Sequence, residues 1–326
     1  MKTVSDPWMA PPQATLPDFM IVGAMKAGTS TIHQMLNQHP DVFIPDAEIH
    51  FFDIDDIFEH SDFFLFRDGQ WITPDIEKDS ARFWDWYASF FAKAQAGQLM
   101  GEDSTVYLAS EKAIKRIARQ QKEIKLIVLL RQPTLRAYSQ YLHLLRTGRA
   151  TGTFEAMIET RPHVLLKRSL YSEQIKVLFQ HLPAEQIKIV IFEEFLIDKD
   201  KTLKDLCDFL GLAYQRLPPG TASIHANKTK TPKYFELQLL KNRFFRGQAN
   251  TIYADHLPMT GVCQGQGQAR LGRAAHKVYR WVNPSTEQKP AAIKEPTRQF
   301  LDAFFQKELS ELNTLIQKDV TSLWFG

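Results

Sequence analysis

Residues 21–31, IVGAMKAGTST, combine glycines, a lysine and hydroxyl side chains in a pattern suited to binding phosphate. Gly23 and Gly28 have the glycine spacing of a P-loop, whose signature is G-x-x-x-x-G-K-[ST]. Here a threonine stands in the slot after the second glycine, and Lys26 precedes that glycine instead. Backbone N–H groups of such a turn and of the helix after it point at an anion. The segment therefore predicts a phosphate site, although the glycine spacing alone also fits an ordinary strand–helix connection.

A second basic residue follows another apolar run. Arg131 closes the run IKLIVLLR at 124–131, and Ser139 lies in the helical pattern that begins near Pro133. A guanidinium offers a charged fork that matches a phosphate group, and a hydroxyl adds another donor. Taken alone, Arg131 could equally cap a strand and Ser139 could be an exposed helix residue, so their interpretation depends on the first segment.

Three apolar runs are predicted to be buried parallel strands, each followed by a helical pattern. The runs are 18–24, 124–131 and 187–195, and the helix after the last is expected to end at Gly211. Strands alternating with helices predict an α/β protein with a P-loop-like parallel sheet flanked by helices on both faces. Ligands of such sheets bind beyond the carboxyl ends of the strands, where both basic segments lie.

Composition excludes several functional classes. The chain of 326 residues is 44% hydrophobic and carries a net charge of +3, which argues against disorder and against a dedicated nucleic-acid binder. It has no apolar run long enough to span a membrane and no secretory signal pattern. Its two cysteines, Cys207 and Cys263, require no disulfide framework. We therefore expect a cytoplasmic protein without a transmembrane segment.

The proline-rich residues 1–17 are expected to form a flexible arm before a single domain at 18–326. Within that domain, residues 220–233 and 261–280 are polar and rich in helix breakers, which predicts loops.

The two basic segments together resemble the nucleotide-binding motifs of sulfotransferases that use PAPS (3′-phosphoadenosine 5′-phosphosulfate). The first resembles the family's 5′-phosphosulfate loop, whose lysine precedes the second glycine as Lys26 does, and the second resembles its 3′-phosphate motif. Similar segments extend the resemblance over most of residues 18–324. It implies that PAPS is the cosubstrate, that PAP (3′,5′-adenosine bisphosphate) is the product and that no metal is needed. The cofactor-binding residues that it implies are Lys26, Ala27, Gly28, Thr29, Ser30, Thr31, Arg131, Ser139 and Tyr171.

The resemblance also implies individual roles. Lys26 would contact the phosphosulfate bridge and stabilise the leaving phosphate, while Arg136 and Tyr138 would be structural members of the 3′-phosphate motif. One departure is Ser169, where the family often has glycine two residues before the tyrosine that matches Tyr171. The adenosine-side role of Arg168 and Tyr171 is therefore the least supported part of the nucleotide site.

The segment DAEIHFFD at 46–53 resembles the catalytic segment of heparan-sulfate-type sulfotransferases. By that resemblance Glu48 is the general base and His50 assists it. A neutral imidazole has a pKa near physiological pH, so His50 is the alternative base.

Two residues are candidates for contact with the acceptor. Asp103 lies in GEDSTVYL, which resembles the family's acceptor segment, and Arg146 follows the 3′-phosphate helix. The acidic stretch DIDDIFE after the catalytic segment is expected to be a solvated loop rather than a metal site. The basic residues of the two polar loops, together with Asn227, are candidates to close over the nucleotide: Lys228, Arg270 and Arg273.

These features predict an enzyme that moves a sulfuryl group from PAPS to a hydroxyl or amine, with a carbohydrate as the first choice of acceptor. A lipid, a polyketide or another small metabolite is the alternative acceptor, and the oligomeric state stays open. A P-loop kinase or ATPase is disfavoured because the lysine is displaced and IVIFEEF offers only a weak acidic imitation of a Walker-B aspartate. A non-catalytic nucleotide-binding protein of the same fold is the remaining alternative.

Overall fold

A parallel sheet with helices on both faces organises the protein, as the computed structural model shows for residues 6–225, 231–244, 257–258, 279, 281–286 and 291–326. The strands are β1 (Phe19–Gly23), β2 (Val42–Phe43), β3 (Leu65–Arg67), β4 (Gln70–Ile72), β5 (Leu99–Asp103), β6 (Lys125–Leu130), β7 (Ile187–Ile191), β8 (Thr231–Pro232) and β9 (Ser285–Thr286). The helices are α1 (Thr29–Leu36), α2 (Ser80–Ser89), α3 (Glu111–Ala118), α4 (Pro133–Arg146), α5 (Phe154–Thr160), α6 (Pro162–Leu166), α7 (Tyr171–His181), α8 (Phe192–Ile197), α9 (Lys199–Leu210), α10 (Phe235–Phe244), α11 (Glu295–Glu308), α12 (Leu312–Ile316) and α13 (Thr321–Phe325).

The central sheet has the order β2-β5-β1-β6-β7, and every neighbouring pair is parallel. All five residues of β1 are buried, as are the last five of β6, because helices cover both faces of the sheet. The α/β prediction is confirmed. Since the strands are parallel, the chain leaves β5, β1, β6 and β7 at the same edge of the sheet.

Local sequence signals set the bounds of the helices beside that edge. Helix α4 begins at Pro133, and the side chain of Gln132 accepts the N–H of Leu135 at 2.6 Å. Helix α9 begins after Asp198 and ends before Gly211, whose φ of 77° is the left-handed conformation that favours glycine. Both predicted helices are confirmed.

The third predicted strand is too long. Strand β7 ends at Ile191, and Phe192 begins helix α8. The run IVIFEEF gives no local break between the two elements, because its apolar residues suit either a buried strand or a buried helix turn.

Residues 1–5 of the predicted arm lie outside the described residues, and its later part packs against the domain. Trp8 is buried, and the guanidinium of Arg116 lies 3.3 Å from the centre of a ring of that tryptophan. The amide of Gln120 bonds the carbonyl of Trp8 at 2.9 Å and the N–H of Ala10 at 3.0 Å. Pairing with an arginine and a glutamine far along the chain fixes this segment, which periodicity could not predict.

The C-terminal segment contains helices α11 and α12, whose buried residues include Leu301, Phe305 and Leu312. Within the described ranges, none of the helices is both long and apolar enough to cross a membrane.

Candidate active site

A cavity of about 590 Å³ lies beyond the carboxyl ends of β1, β6 and β7. Most of the predicted site residues line it, along with several apolar side chains. The lining residues are Met25, Lys26, Gly28, Thr29, Ser30, Thr31, Glu48, Thr105, Arg131, Ser139, Leu142, His143, Arg146, Phe192, Phe195, Leu196, Lys199 and His225.

The first phosphate-binding segment forms the turn between β1 and α1. Helix α1 begins at Thr29, so its N-terminus lies at the cavity wall. Gly28 has a φ of 96°, and a Cβ atom there would meet the ring of Phe192 at 2.8 Å. Both the positive φ and the nearby ring therefore require glycine here. The missing side chain lets the turn approach helix α8 closely.

The second segment is tied directly to the first. The Nη1 atom of Arg131 donates to the carbonyl oxygen of Lys26 at 2.9 Å, and its guanidinium lies 4.8 Å from the ring centre of Phe192. The Nε atom of Arg131 is buried and has no hydrogen-bond partner among the described residues. The guanidinium of Arg131 therefore still has a donor available for an anion, and the hydroxyl of Ser139 lines the same cavity.

Burial and neighbouring cations shift the pKa values of two lining residues downward. Burial lowers the pKa of Lys26 to about 8, with Arg146 among the cations that add to the effect and Glu48 opposing it. Burial also lowers the pKa of His143 to about 3, helped by Lys26 and Arg146. His143 is therefore neutral at physiological pH.

His143 is a lining residue that the sequence analysis missed. A signal was available, since Ser139 and His143 are four residues apart on α4 and so lie on one face of the helix.

Glu48, which lines the cavity, forms a hydrogen-bonding pair with His50, which does not. Oε2 of Glu48 lies 3.3 Å from Nε2 of His50 and accepts the hydroxyl of Thr105 at 2.9 Å. Burial alone would raise the pKa of Glu48, but the bond to His50, the hydroxyl of Thr105 and the charge of Lys26 outweigh it and lower the pKa. Glu48 therefore faces the cavity as a carboxylate able to accept a proton, while His50 lies behind it.

Besides His50, three predicted site residues do not line the cavity. Asp103 is buried, with Oδ2 3.1 Å from Nδ1 of His33, and Thr105 is the residue of its segment that lines the cavity. Tyr171 is buried and donates its hydroxyl to the carbonyl of Arg131 at 2.9 Å, so it supports the arginine from behind. Ala27 is fully buried and donates its N–H to the carbonyl of Ala24 at 3.1 Å.

Arg136 has the structural role expected of it. Its side chain is fully buried, Nη2 donates to the carbonyl of Leu165 and Nε donates to the hydroxyl of Ser169. That hydroxyl in turn donates to the carbonyl of Pro133 at 3.1 Å. The serine that departs from the family pattern, Ser169, thus bonds two residues of the first turn of α4, Arg136 and Pro133.

The acidic stretch after the catalytic segment is not a solvated loop. Asp53 is fully buried, with Oδ1 2.9 Å from Nε2 of His60, and Asp55 binds Arg116 through both oxygens at 2.6 and 2.9 Å. The side chains of His50, Asp53 and His60 offer ligand atoms within 4.8 Å of one another, an arrangement that could hold a metal ion. The expectation that no metal is needed therefore stays a prediction.

The glutamate that could imitate a Walker-B acid is occupied elsewhere. Oε1 of Glu193 accepts the N–H of Gln132 at 3.0 Å, and Oε2 accepts the indole N–H of Trp324 at 2.9 Å. Glu193 thus supports the residue next to Arg131. The predicted loop residues Asn227, Lys228, Arg270 and Arg273 lie outside the described residues.

The sequence and the fold of this chain are similar to those of known proteins. The family model described as "Sulfotransferase family" matches residues 17–216. Human heparan sulfate glucosamine 3-O-sulfotransferase 3B1 is 29% identical over 205 residues, which are 60% of this chain and 46% of that protein. Mouse heparan sulfate glucosamine 3-O-sulfotransferase 5 is 25% identical over 254 residues, 74% of this chain and 65% of that protein.

A solved structure is similar over nearly the whole chain. The sulfotransferase from Alicyclobacillus acidocaldarius has a TM-score of 0.60 at 25% identity, covering 95% of this chain and 99% of that one. The chain spans about half the length of the human relative, 46%, so the match to that protein concerns its shared part alone. Since the family model covers more than half of the chain, this protein belongs to the sulfotransferase family.

Proposed function

We propose that the protein is a sulfotransferase that binds PAPS in the cavity and moves its sulfuryl group to an acceptor hydroxyl or amine. The observation that carries this proposal is the meeting of Lys26, Glu48, Arg131 and Ser139 around one cavity of about 590 Å³. That volume lies within the range of about 300–1,000 Å³ that ligand pockets have. A 3′-phosphate on the donor accounts for Arg131 and Ser139, which a 5′-triphosphate would leave without an anion to bind.

The nucleotide would be held at two ends. The turn at 28–31 and the N-terminus of α1 take the 5′-phosphosulfate, where N–H groups and hydroxyls meet its negative charge. Arg131 and Ser139 take the 3′-phosphate. The bond from Arg131 to the carbonyl of Lys26 fixes the two ends relative to each other.

The transfer is assigned to Glu48 and Lys26. Glu48 accepts the proton of the acceptor as the acceptor oxygen or nitrogen forms its bond to sulfur, and the bond from sulfur to the bridging oxygen breaks. The electron pair of that bond stays on the 5′-phosphate of PAP, where Lys26 balances the new charge. As in phosphoryl transfer, positioning and electrostatics supply most of the rate. Thr105 and His50 keep Glu48 in place through their bonds to Oε2.

The acceptor is proposed to be a carbohydrate. The curated relatives are named for heparan sulfate glucosamine, and Arg146 adds an exposed cation to the cavity lining. Asp103 does not count against an anionic glycan, because its carboxylate is turned to His33.

The test is sulfuryl transfer from radiolabelled PAPS to heparan-sulfate-type oligosaccharides, compared with lipid alcohols and phenols. Glu48→Gln should lower kcat by about 10²- to 10⁴-fold, as loss of a general base does, while PAP affinity stays near the wild-type value. Glu111→Gln, which alters an exposed carboxylate on α3, is the matched control. A Glu48→Gln variant as active as the control would remove Glu48 as the base.

A further inference from the structure

Glu102 is a fully buried carboxylate that lies behind the catalytic segment. Three hydroxyl groups donate to it, each at 2.6 Å: those of Ser104 and Tyr107 to Oε1, and that of Tyr87 to Oε2. Distances of 2.5–2.7 Å are typical of an O–H group donating to an ionised oxygen. Glu102 does not line the cavity, so it has no direct part in binding or transfer.

Two of these hydroxyls also hold the backbone of the catalytic segment. The hydroxyl oxygen of Ser104 accepts the N–H groups of Ile49 and His50 at 3.1 and 3.0 Å. The hydroxyl oxygen of Tyr107 accepts the N–H of Phe52 at 3.2 Å. Three successive anchor points between Glu48 and Asp53 thus depend on two hydroxyl groups.

The carboxylate sets the direction of those hydroxyl bonds. Burial raises the pKa of Glu102, and the hydroxyl bonds from Ser104 and Tyr107 oppose that effect by stabilising the ionised form. In that form the carboxylate can only accept, so both hydroxyls turn their protons toward Oε1. Their lone pairs are then left to face the backbone N–H groups. Such a chain of bonds is strengthened in a buried setting, and an unpaired member there is costly.

The backbone held in this way is strained. His50 has φ 57° and ψ 32°, in the left-handed region that residues other than glycine seldom adopt. Strain of this kind persists where the surroundings hold the residue in place. The bond from the N–H of His50 to Ser104 is one of the contacts that do so.

We propose that Glu102 is a positioning residue that, through Ser104 and Tyr107, holds the segment 48–52 so that Glu48 faces the acceptor. This inference rests on the proposed function of Glu48. Oε1 is then the oxygen of Glu102 that affects the transfer, whereas Oε2 accepts the hydroxyl of Tyr87.

Tyr87 provides the matched control. Its hydroxyl donates to the same carboxylate at the same distance as that of Tyr107, but it is not bonded to the backbone of the catalytic segment. Its ring packs on Phe51 with centres 4.5 Å apart, and Tyr87→Phe keeps that contact.

The experiment compares Ser104→Ala and Tyr107→Phe with Tyr87→Phe for kcat, KM for PAPS and PAP affinity. Ser104→Ala and Tyr107→Phe should lower kcat by about 10- to 100-fold, because a misplacement of about 1 Å can cost that much. PAP affinity and KM for PAPS should change by less than about threefold in all three variants, since none of the three residues lines the cavity. Tyr87→Phe should keep kcat near wild type. Equal losses of kcat in Tyr87→Phe and Tyr107→Phe would overturn the proposal.

Two further variants test Glu102 itself. In Glu102→Gln the amide oxygen can replace Oε1 and the amide NH₂ can donate to Tyr87, so most of kcat should be kept. Glu102→Leu has no oxygen to accept the hydroxyl bonds of Ser104 and Tyr107, so its kcat should fall as it does in Ser104→Ala and Tyr107→Phe. Should Glu102→Leu fail to fold, the serine and tyrosine variants decide the matter.

Hydrogen exchange separates this proposal from the proposed function. Amides of a peptide covering 48–53 should exchange faster in Ser104→Ala and Tyr107→Phe than in Tyr87→Phe, even when no acceptor is present. Unchanged exchange there would overturn the positioning role. If these variants exchange faster but the wild-type protein transfers no sulfuryl group, the positioning role of Glu102 is supported and the proposed function is contradicted.

Discussion

Lys26 and Glu48 carry opposite charges in one cavity. The charge of Glu48 raises the pKa of Lys26, and the charge of Lys26 lowers the pKa of Glu48, so each favours the ionised form of the other. Lys26 nevertheless has a pKa of about 8, because burial outweighs the attraction of Glu48. With this pKa, Lys26 loses its proton just above physiological pH, and an anion bound beside it would raise the pKa again. In the proposed function, the donor nucleotide supplies that anion.

PAP binding should therefore depend on pH above about 8. At pH values below the pKa of Lys26 in the protein without nucleotide, the side chain is already protonated, so Lys26 should cause no change of PAP affinity with pH. Above it, binding must take up a proton, and Kd should rise by up to about tenfold per pH unit. Calorimetry at several pH values, in buffers of different ionisation enthalpy, would measure the proton uptake. Lys26→Met should remove the dependence; an unchanged slope in that variant would assign it to another group.

Gly28 has two separate reasons to be glycine, and a second glycine distinguishes them. Gly97 has a similar φ, 86°, but a Cβ atom there would meet nothing within 4 Å. Gly97→Ala should cost about 1–2 kcal/mol of stability from the backbone conformation alone. Gly28→Ala should cost about 1–3 kcal/mol more, because the added carbon would push on Phe192.

Denaturant unfolding of both variants, with PAP affinity measured alongside, checks this expectation. Only Gly28→Ala should also weaken PAP binding. Equal losses of stability in the two variants would show that the approach of the turn to Phe192 contributes little.

At the scale of elements, helix α4 connects the two sides of the cavity. Ser139 lies where the 3′-phosphate is proposed to bind, and His143 lies one turn further along the same face. Arg146 ends the helix beside them.

The two positions should separate donor binding from acceptor binding. Ser139→Ala should raise Kd for PAP by about tenfold, as loss of a hydrogen bond to a charged group does. His143→Ala should leave that Kd unchanged and raise KM for the acceptor instead, because its neutral side chain lines the cavity one turn from Ser139 and feels the charges of Lys26 and Glu48, the two residues assigned to the transfer. Steady-state kinetics and calorimetry on both variants give the comparison. A weaker PAP affinity in His143→Ala would place the nucleotide on that side of the cavity.

Continuous apolar runs predicted β1 and β6 correctly, because strands buried on both faces leave little room for polar residues. Local sequence could not predict that Asp103 turns to His33, nor that Tyr171 supports the carbonyl of Arg131. Each of these contacts joins residues from separate elements. The anchoring of the catalytic segment by Glu102 escaped prediction for the same reason.

At the scale of the molecule, the C-terminal helices support the proposed nucleotide site from outside. Asp302 on α11 accepts the side chains of Gln132 and Thr134 at 2.8 and 2.6 Å, and Trp324 on α13 donates to Glu193. These contacts fix the start of α4, next to Arg131. The sheet, α4 and the C-terminal helices thus all contribute to the position of one guanidinium.

The most direct test of the account is calorimetric binding of PAP compared with ATP and magnesium, for the wild type and Arg131→Ala. PAP should bind the wild type at least about 100-fold more tightly than ATP does, because a 3′-phosphate gains charge-assisted bonds that ATP cannot make. In Arg131→Ala that preference should largely disappear. Tighter binding of ATP with magnesium than of PAP by the wild type would contradict the account and favour a kinase or ATPase.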